Sequence, residues 1–256
     1  MINIAIIGIF GRMGQEISSA IFKDNNFNLS AGFCRQEHLS NNSDSLTFLS
    51  DNIDEVITRS DVIIDFSNPK LSLAVARAAR KYKKNYICGT TGFSEAEFLA
   101  LKKLADKTVF IWGSNMSIGI NLLISLIKKS ANLLGSEFDT EILEMHHRHK
   151  KDAPSGTALA LGQAVAEARN LEFSEVSKLS REGVNNSRAK NEIGFATLRG
   201  GSVIGNHEVI FANDSEIISF AHQACDRSIF AKGALKAALW SQNQARGFYL
   251  IEDIFN

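Results

Sequence analysis

Met1-Ile-Asn-Ile4-Ala-Ile-Ile7-Gly8-Ile-Phe-Gly11-Arg12-Met13-Gly14 opens the chain and decides its fold class. Ile4 to Ile7 is a continuous apolar run, the pattern of a strand buried on both faces. Gly8 ends it, and two further glycines follow at three-residue spacing before helix-compatible sequence begins. Such glycines let the backbone turn tightly and approach a pyrophosphate, which the positive end of the following helix attracts. The spacing is G-x-x-G-x-x-G, not the strict G-x-G-x-x-G, so the strand–turn–helix context carries the inference. A glycine-rich turn without a ligand is the alternative. On the dinucleotide reading, Gly8, Ile9, Phe10, Gly11, Arg12 and Met13 form the first cofactor loop.

The same grammar recurs through the first half. Asp61 to Phe66, Asn85 to Cys88 and Val109 to Trp112 are further short apolar runs. Helix-compatible stretches follow at Ser18 to Phe22, Leu71 to Tyr82, Glu95 to Ala105 and Ile118 to Leu134. Strands alternating with helices predict a parallel sheet covered on both faces. The pattern changes after Gly135. Asp139 to His147 alternates, with Ile142 on one face and Leu143 and Met145 on the other. Ile193 to Leu198, Ser202 to Ala212 and Glu216 to Ala221 read as strands joined by Arg199-Gly200-Gly201 and Asn213-Asp214. The second joint is a hairpin signal, because Asn and Asp tolerate positive φ. Phe230 to Trp240 reads as a closing helix and Phe248 to Ile251 as a last short strand. The fold class is α/β: a Rossmann-type parallel sheet domain plus an α+β domain with a mixed or antiparallel sheet.

At 256 residues, and about 150 residues per domain, the chain holds one large fold or two unequal ones. Lys+Arg and Asp+Glu number 28 each, so the net charge is zero. That balance argues against a broad footprint for nucleic acid or an anionic membrane. Cys34, Cys88 and Cys225 form no Cys-x-x-Cys pair, which points to a cytoplasmic chain without a disulfide scaffold. The N-terminus has no basic segment of the kind a signal peptide carries. Thr108 to Ile127 is uncharged for 20 residues, but only 12 of them are apolar. A buried strand, a polar loop and a helix start account for it better than a membrane span.

Two more loops belong with the first. Gly89-Thr90-Thr91-Gly92 follows the strand ending at Cys88, and Gly113-Ser114-Asn115-Met116 follows the strand ending at Trp112. Ligands of open parallel sheets bind at the carboxyl ends of the strands, so the three loops share one rim. Each alone is only a turn. Cys34 and Arg35 end the second strand-like run, Phe27 to Phe33. A carboxylate there would suit the ribose of NAD, whereas Arg suits the 2′-phosphate of NADP. NADPH is favoured, with NADH possible.

His146-His147-Arg148-His149-Lys150-Lys151 is the densest concentration of chemistry, followed by Asp152-Ala-Pro-Ser155-Gly156-Thr157. Zinc is one reading, but no second Cys or His pair completes a site and three cations would repel the metal. A solvated basic loop is another. The reading with chemical content is an anion pocket containing an acid. Ser155-Gly156-Thr157 starts a helix whose free N–H groups favour a carboxylate, and Lys150 adds a point charge. Neighbouring cations would lower the pKa of His146, and a bound dianion would reverse that shift.

Glu144-Met-His-His-Arg-His-Lys-Lys-Asp-Ala-Pro-Ser-Gly-Thr-Ala158 resembles the signature of the dihydrodipicolinate reductase family. Gly11-Arg-Met-Gly14, Gly89-Thr-Thr-Gly92, Ser114 to Asn121, Gly205-Asn-His207 and Phe230 to Ala234 match that family in order and spacing, over essentially the whole chain. The resemblance implies a dinucleotide-binding domain of residues 1–117 and 227–256, with a substrate-binding and oligomerisation domain of residues 118–226 that builds a homotetramer. It implies NAD(P)H-dependent reduction of 4-hydroxy-tetrahydrodipicolinate, a small dicarboxylate, with loss of water, in diaminopimelate and lysine biosynthesis. By position it makes His146 and Lys150 catalytic, and His147, Gly156 and Thr157 substrate-binding. Gly8 to Met13, Arg35, Gly89, Thr90, Thr91, Gly113, Ser114, Asn115 and Met116 would hold the cofactor. The chain departs from the family's pattern at Cys34, where an acidic residue is common, and at Met116, where an aromatic is common. Two rivals are a semialdehyde dehydrogenase, which would need a presented nucleophilic Cys, and a non-catalytic dinucleotide sensor, which would not need His146 and Lys150.

Overall fold

In a computed structural model, which describes residues 1–39, 47–183 and 187–255, the opening apolar run lies near the middle of a sheet. Contacts divide the chain into two units, residues 1–117 with 227–256, and residues 118–226.

The first unit runs β1 (Ile2–Ile7), α1 (Arg12–Ile21), β2 (Phe27–Phe33), α2 (Gln36–Leu39), β3 (Phe48–Ser50), α3 (Ile53–Thr58), β4 (Val62–Asp65), α4 (Pro69–Tyr82), β5 (Asn85–Cys88), α5 (Glu95–Lys103) and β6 (Val109–Trp112). The second contains α6 (Ile118–Leu134), β7 (Asp139–His146), α7 (Gly156–Ala168), α8 (Phe173–Val176), β8 (Ser177–Lys178), β9 (Ile193–Arg199), β10 (Gly205–Ala212) and β11 (Ile217–Ala224). The chain then returns to the first unit through α9 (Ser228–Trp240) and β12 (Gly247–Leu250).

The first sheet has the order β12-β6-β5-β4-β1-β2-β3 and is parallel throughout. Its central strands are buried on both faces. Ile4, Ile6, Val62, Ile64, Ile87 and Ile111 enter one core, while Ala5, Ile7, Ile63, Tyr86, Cys88 and Phe110 enter the other. Apolar side chains are therefore needed at every position, and alternation is absent. The strand order reverses at β1 and β4, where α/β folds of this winding place their ligand. Local signals set the helix starts. Asn68 caps α4 by accepting from Leu71 N at 3.1 Å, and Pro69 stands at the first helical position. Ser94 and Glu97 form a reciprocal capping box at α5.

The second sheet, β11-β10-β7-β9-β8, is mixed: β10 is antiparallel to both β7 and β11, and β7, β9 and β8 are parallel. Ile142, Phe195, Val209 and Phe211 pack with Leu123, Ile127, Leu161 and Val165 from α6 and α7. The alternation in Asp139 to His146 thus buries Thr140, Ile142, Glu144 and His146 on that face.

Several expectations shift. The first helix begins at Arg12, directly after the glycine turn, not at Ser18. The β10–β11 hairpin forms, but neither Asn213 nor Asp214 has positive φ. Instead Asn213 Oδ1 accepts from Ser215 N and Glu216 N at 2.8 and 2.9 Å, a side-chain turn in place of a left-handed one. β3 and α3 lay in sequence without a clear period. The segment from Ile118 to Glu137 is long and apolar enough to cross a membrane by length and composition alone. Ile120, Leu123, Ile127 and Ala131 on its inner face are buried.

Candidate functional site

Gly8 has φ of 76°, a conformation that other residues adopt at a cost. The turn folds on itself, with Gly11 N donating to Gly8 O at 2.8 Å. Gly11 then serves as the N-cap of α1 without any side-chain bond, which leaves the first helical N–H groups open to a ligand. A Cβ at Gly14 would stand 2.4 Å from the carbonyl oxygens of Gly8 and Ile9, so close packing of helix on turn demands glycine there. A Cβ at Gly8 would meet nothing within 4 Å. The turn is closed by packing behind and open in front. These features fit a pyrophosphate cradle.

A cavity of about 350 Å³ lies beside the turn, lined by Gly8, Phe10, Gly11, Cys34, Arg35, His38 and Phe66. It joins the first loop to Arg35, which is largely exposed and pairs with Glu37 at 3.4 Å. His38 and Phe66 also line it, although neither was expected. Phe10 and His38 approach with ring centroids 5.1 Å apart. Their signal in the sequence was position alone, since His38 follows Arg35 and Phe66 ends the apolar run from Asp61.

The second and third loops leave β5 and β6 on the same rim. Thr90 is buried, and its Oγ1 accepts from Ser67 N at 3.0 Å and lies 2.9 Å from Ser72 Oγ. Its carbonyl accepts from Trp112 Nε1 at 3.0 Å. Asp65 underpins this loop, accepting from Tyr86 OH, Ser72 Oγ and Ser67 N; burial raises its pKa and those bonds oppose the rise. Thr91 and Ser114 share a second cavity of about 390 Å³ with Phe98 and Trp112. Gly113 N donates to Cys88 O at 3.1 Å, and Asn115 Oδ1 accepts from Ser117 N at 2.9 Å. Met116 is almost wholly buried, with its side chain packed into the core and its carbonyl against Gly233, so of the expected cofactor residues it presents almost no surface to a ligand.

In the second unit, His146 ends β7 and is buried. Its Nδ1 lies 2.6 Å from Glu144 Oε2. Glu144 is buried entirely and is gripped by Arg199, whose Nη1 and Nη2 each donate at 2.8 Å. Ser155 N donates to Glu144 Oε1 at 3.0 Å, and Ser155 Oγ accepts from Ala158 N, capping α7. The same hydroxyl lies 3.0 Å from His207 Nε2, and the rings of His146 and His207 meet edge to face at 5.1 Å. Burial lowers the pKa of His146 first; Lys150 and Arg199 lower it further, while Glu144 opposes them. The expectation named only the cations, and desolvation proves the larger cause. Burial would raise the Glu144 pKa, but its bonds to Arg199 and His146 hold it below the usual carboxylate value. His207 is pushed down to about 4 by burial.

Lys150 is mostly buried and pairs with Asp152 at 2.8 Å. His147 is half-buried and stacks loosely on His149, at 6.3 Å. Gly156 and Thr157 form the first turn of α7, and a Cβ on Gly156 would meet nothing within 4 Å. Glu144, Arg199 and His207 carry the local chemistry yet received no role in the sequence reading. Alternation put Glu144 on the face of His146. Arg199 and His207 reach it through sheet register, in which Arg199 pairs with His146 and His207 with Glu144.

Two family models account for nearly the whole chain: "Dihydrodipicolinate reductase, N-terminus" over residues 2–116 and "Dihydrodipicolinate reductase, C-terminus" over residues 119–255. The 4-hydroxy-tetrahydrodipicolinate reductase of Zymomonas mobilis subsp. mobilis is 44% identical over 254 residues, covering 99% of this chain and 96% of that protein. The enzyme of the same name from Bartonella tribocorum is 44% identical over 262 residues, covering 98% and 97%. Among solved structures, a dipicolinate-bound dihydrodipicolinate reductase from Paenisporosarcina sp. TG-14 superposes with a TM-score of 0.78 at 26% identity, covering 99% of each chain. A scyllo-inositol dehydrogenase from Lactobacillus casei shares the fold at a TM-score of 0.60 and 11% identity, covering 99% of this chain and 93% of that one.

Proposed function

Because this chain belongs to the dihydrodipicolinate reductase family and is an oxidoreductase, we propose that it reduces 4-hydroxy-tetrahydrodipicolinate to tetrahydrodipicolinate with loss of water. The reaction would serve diaminopimelate and lysine biosynthesis in the cytoplasm. The observation that carries the substrate half is the buried Glu144–His146 pair beside Lys150 and the Ser155-capped start of α7. A dicarboxylate needs cationic and N–H groups, and a leaving hydroxyl needs an acid; this cluster holds both.

A bound nicotinamide cofactor would supply the hydride. The residues of the chain do the rest. Gly8 to Met13 would seat the pyrophosphate at the start of α1, and Gly89 to Thr91 with Gly113 to Met116 would line the remainder of the cofactor. Arg35, with no carboxylate beside it at position 34, favours NADPH over NADH. Gly156, Thr157 and His147 would bind a substrate carboxylate, and Lys150 would add its charge and a proton. His146, charged when the dianion raises its pKa, would donate the proton that the departing hydroxyl or the reduced ring requires. Against the semialdehyde dehydrogenase alternative, burial pushes the Cys88 thiol up to about 12 and Cys34 is also buried. Cys225, expected to be hidden after its apolar run, is exposed, so the family match and not cysteine burial sets that alternative aside.

A homotetramer built on the second sheet is supported by the face opposite α6 and α7, where Leu198 and Ile217 are 48% and 70% exposed. Sedimentation as a 28.1 kDa monomer would overturn it. The function is tested by following NADPH oxidation with the product of dihydrodipicolinate synthase, then repeating the assay with NADH. Turnover with that substrate is expected, with NADPH the better donor. Failure to oxidise either donor would reject the activity.

A further inference from the structure

Four donors converge on one buried carboxylate. Glu144 Oε1 accepts from Ser155 N and Arg199 Nη2, and Oε2 accepts from Arg199 Nη1 and faces His146 Nδ1. An ionised carboxylate only accepts, so Nδ1 of His146 must carry a hydrogen whether the ring is neutral or charged. The proton that comes and goes is therefore on Nε2. That nitrogen lies on the side of Gly205, where an added Cβ would stand 3.0 Å from it. The bond from Ser155 N also ties the carboxylate to the cap of α7, whose first turn is the expected carboxylate site.

We propose that Glu144 is a positioning residue: clamped by Arg199, it fixes His146 as the Nδ1–H tautomer, leaves Nε2 as the exchanging nitrogen, and locks that acid to the start of α7. The role rests on the reading of His146 as the proton donor. The charged or titratable groups around His146 are Glu144 on its own strand, Lys150 in the loop that follows, Arg199 on β9 and His207 on β10. Glu144 is the one anion among them, so its charge sustains the protonated ring against burial and the charges of Lys150 and Arg199.

Glu144→Gln tests this. Every orientation of the amide sets an NH₂ group against an Arg199 donor. Glu144→Gln/Arg199→Met removes that conflict and provides a second variant if the first is poorly folded. In the wild type, the imidazole nitrogen resonances of His146, identified by their loss in His146→Gln, should show the Nδ1–H tautomer above the pKa. In either Glu144 variant the tautomer should move towards Nε2–H. The titration midpoint should fall by about one pH unit or more in Glu144→Gln, and by less in the double variant, where the loss of Arg199 removes a charge that lowers it. With NADPH as donor, kcat should drop at least about tenfold, and the alkaline limb of kcat/KM should move to lower pH by the same shift. A purely structural role would lower kcat without moving that limb. An unchanged tautomer in the folded double variant would overturn the proposal. If His146→Gln instead keeps full turnover, the assignment of His146 fails, while the resonances still decide whether Glu144 sets its tautomer.

Discussion

His146 combines three constraints that a solvated histidine lacks: burial, a carboxylate on Nδ1, and a glycine opposite Nε2. Positioned acid catalysis typically contributes ~10²–10⁴-fold, so His146→Gln should depress kcat within that range while leaving NADPH affinity unchanged. Unchanged turnover would refute the role. Lys150→Ala should lower kcat and raise KM together, because the ammonium serves both the proton and the carboxylate; initial-rate kinetics at saturating NADPH separate the two. Arg35 acts only on the cofactor. Arg35→Ala should raise KM for NADPH while sparing NADH, and equal effects on both donors would show that it does not read the 2′-phosphate. At this scale the His-Lys cluster was legible because its residue types are rare together. Glu144 was not, since one carboxylate in a strand looks like any other until its four donors are in place.

Elements supply what single residues cannot. The β1–α1 turn depends on a helix approaching the backbone of its own strand exit. Gly14→Ala would place a Cβ 2.4 Å from two carbonyl oxygens, whereas Gly11→Ala meets one at 3.1 Å. Thermal unfolding should show Gly14→Ala destabilised by about 1–3 kcal/mol and weakened in NADPH binding, with Gly11→Ala milder. Equal stability of the two would mean that the turn relaxes freely. The parallel strands were readable because burial on both faces writes an unbroken apolar run. The start of α1 was harder to read, because Arg12, Gly14, Gln15 and Glu16 dilute the apolar period even though Ile17 and Ile21 anchor the helix. The Asn213 turn shows the same limit: the residue type announced a hairpin, but the backbone solved it by side-chain acceptance and not by positive φ.

At the scale of the molecule, two buried histidines, His146 and His207, and the half-buried His222 lie in the second unit. His146, His207 and His222 all have lowered pKa values, with burial the largest cause. A depressed histidine favours folding fully above about pH 6.5, and that contribution is lost as pH falls towards the folded value. For His207 the drop from 6.5 to about 4 corresponds to about 3 kcal/mol. Urea unfolding should therefore show stability declining from pH 6.5 to pH 4, and His207→Gln should flatten that decline; an identical slope would exclude His207 as its source. The sequence by itself determined the parallel sheet, the glycine turn, the basic cluster and the family, because hydrophobic period, backbone freedom and rare residue combinations are local properties. Only the tertiary structure decided which groups control the acid. Arg199 stands 55 residues beyond Glu144, and His207 lies 52 beyond Ser155. Strand register sets Arg199 beside His146 and His207 beside Glu144, and the start of α7 brings Ser155 to them; register is set by packing across the sheet, which no local pattern records.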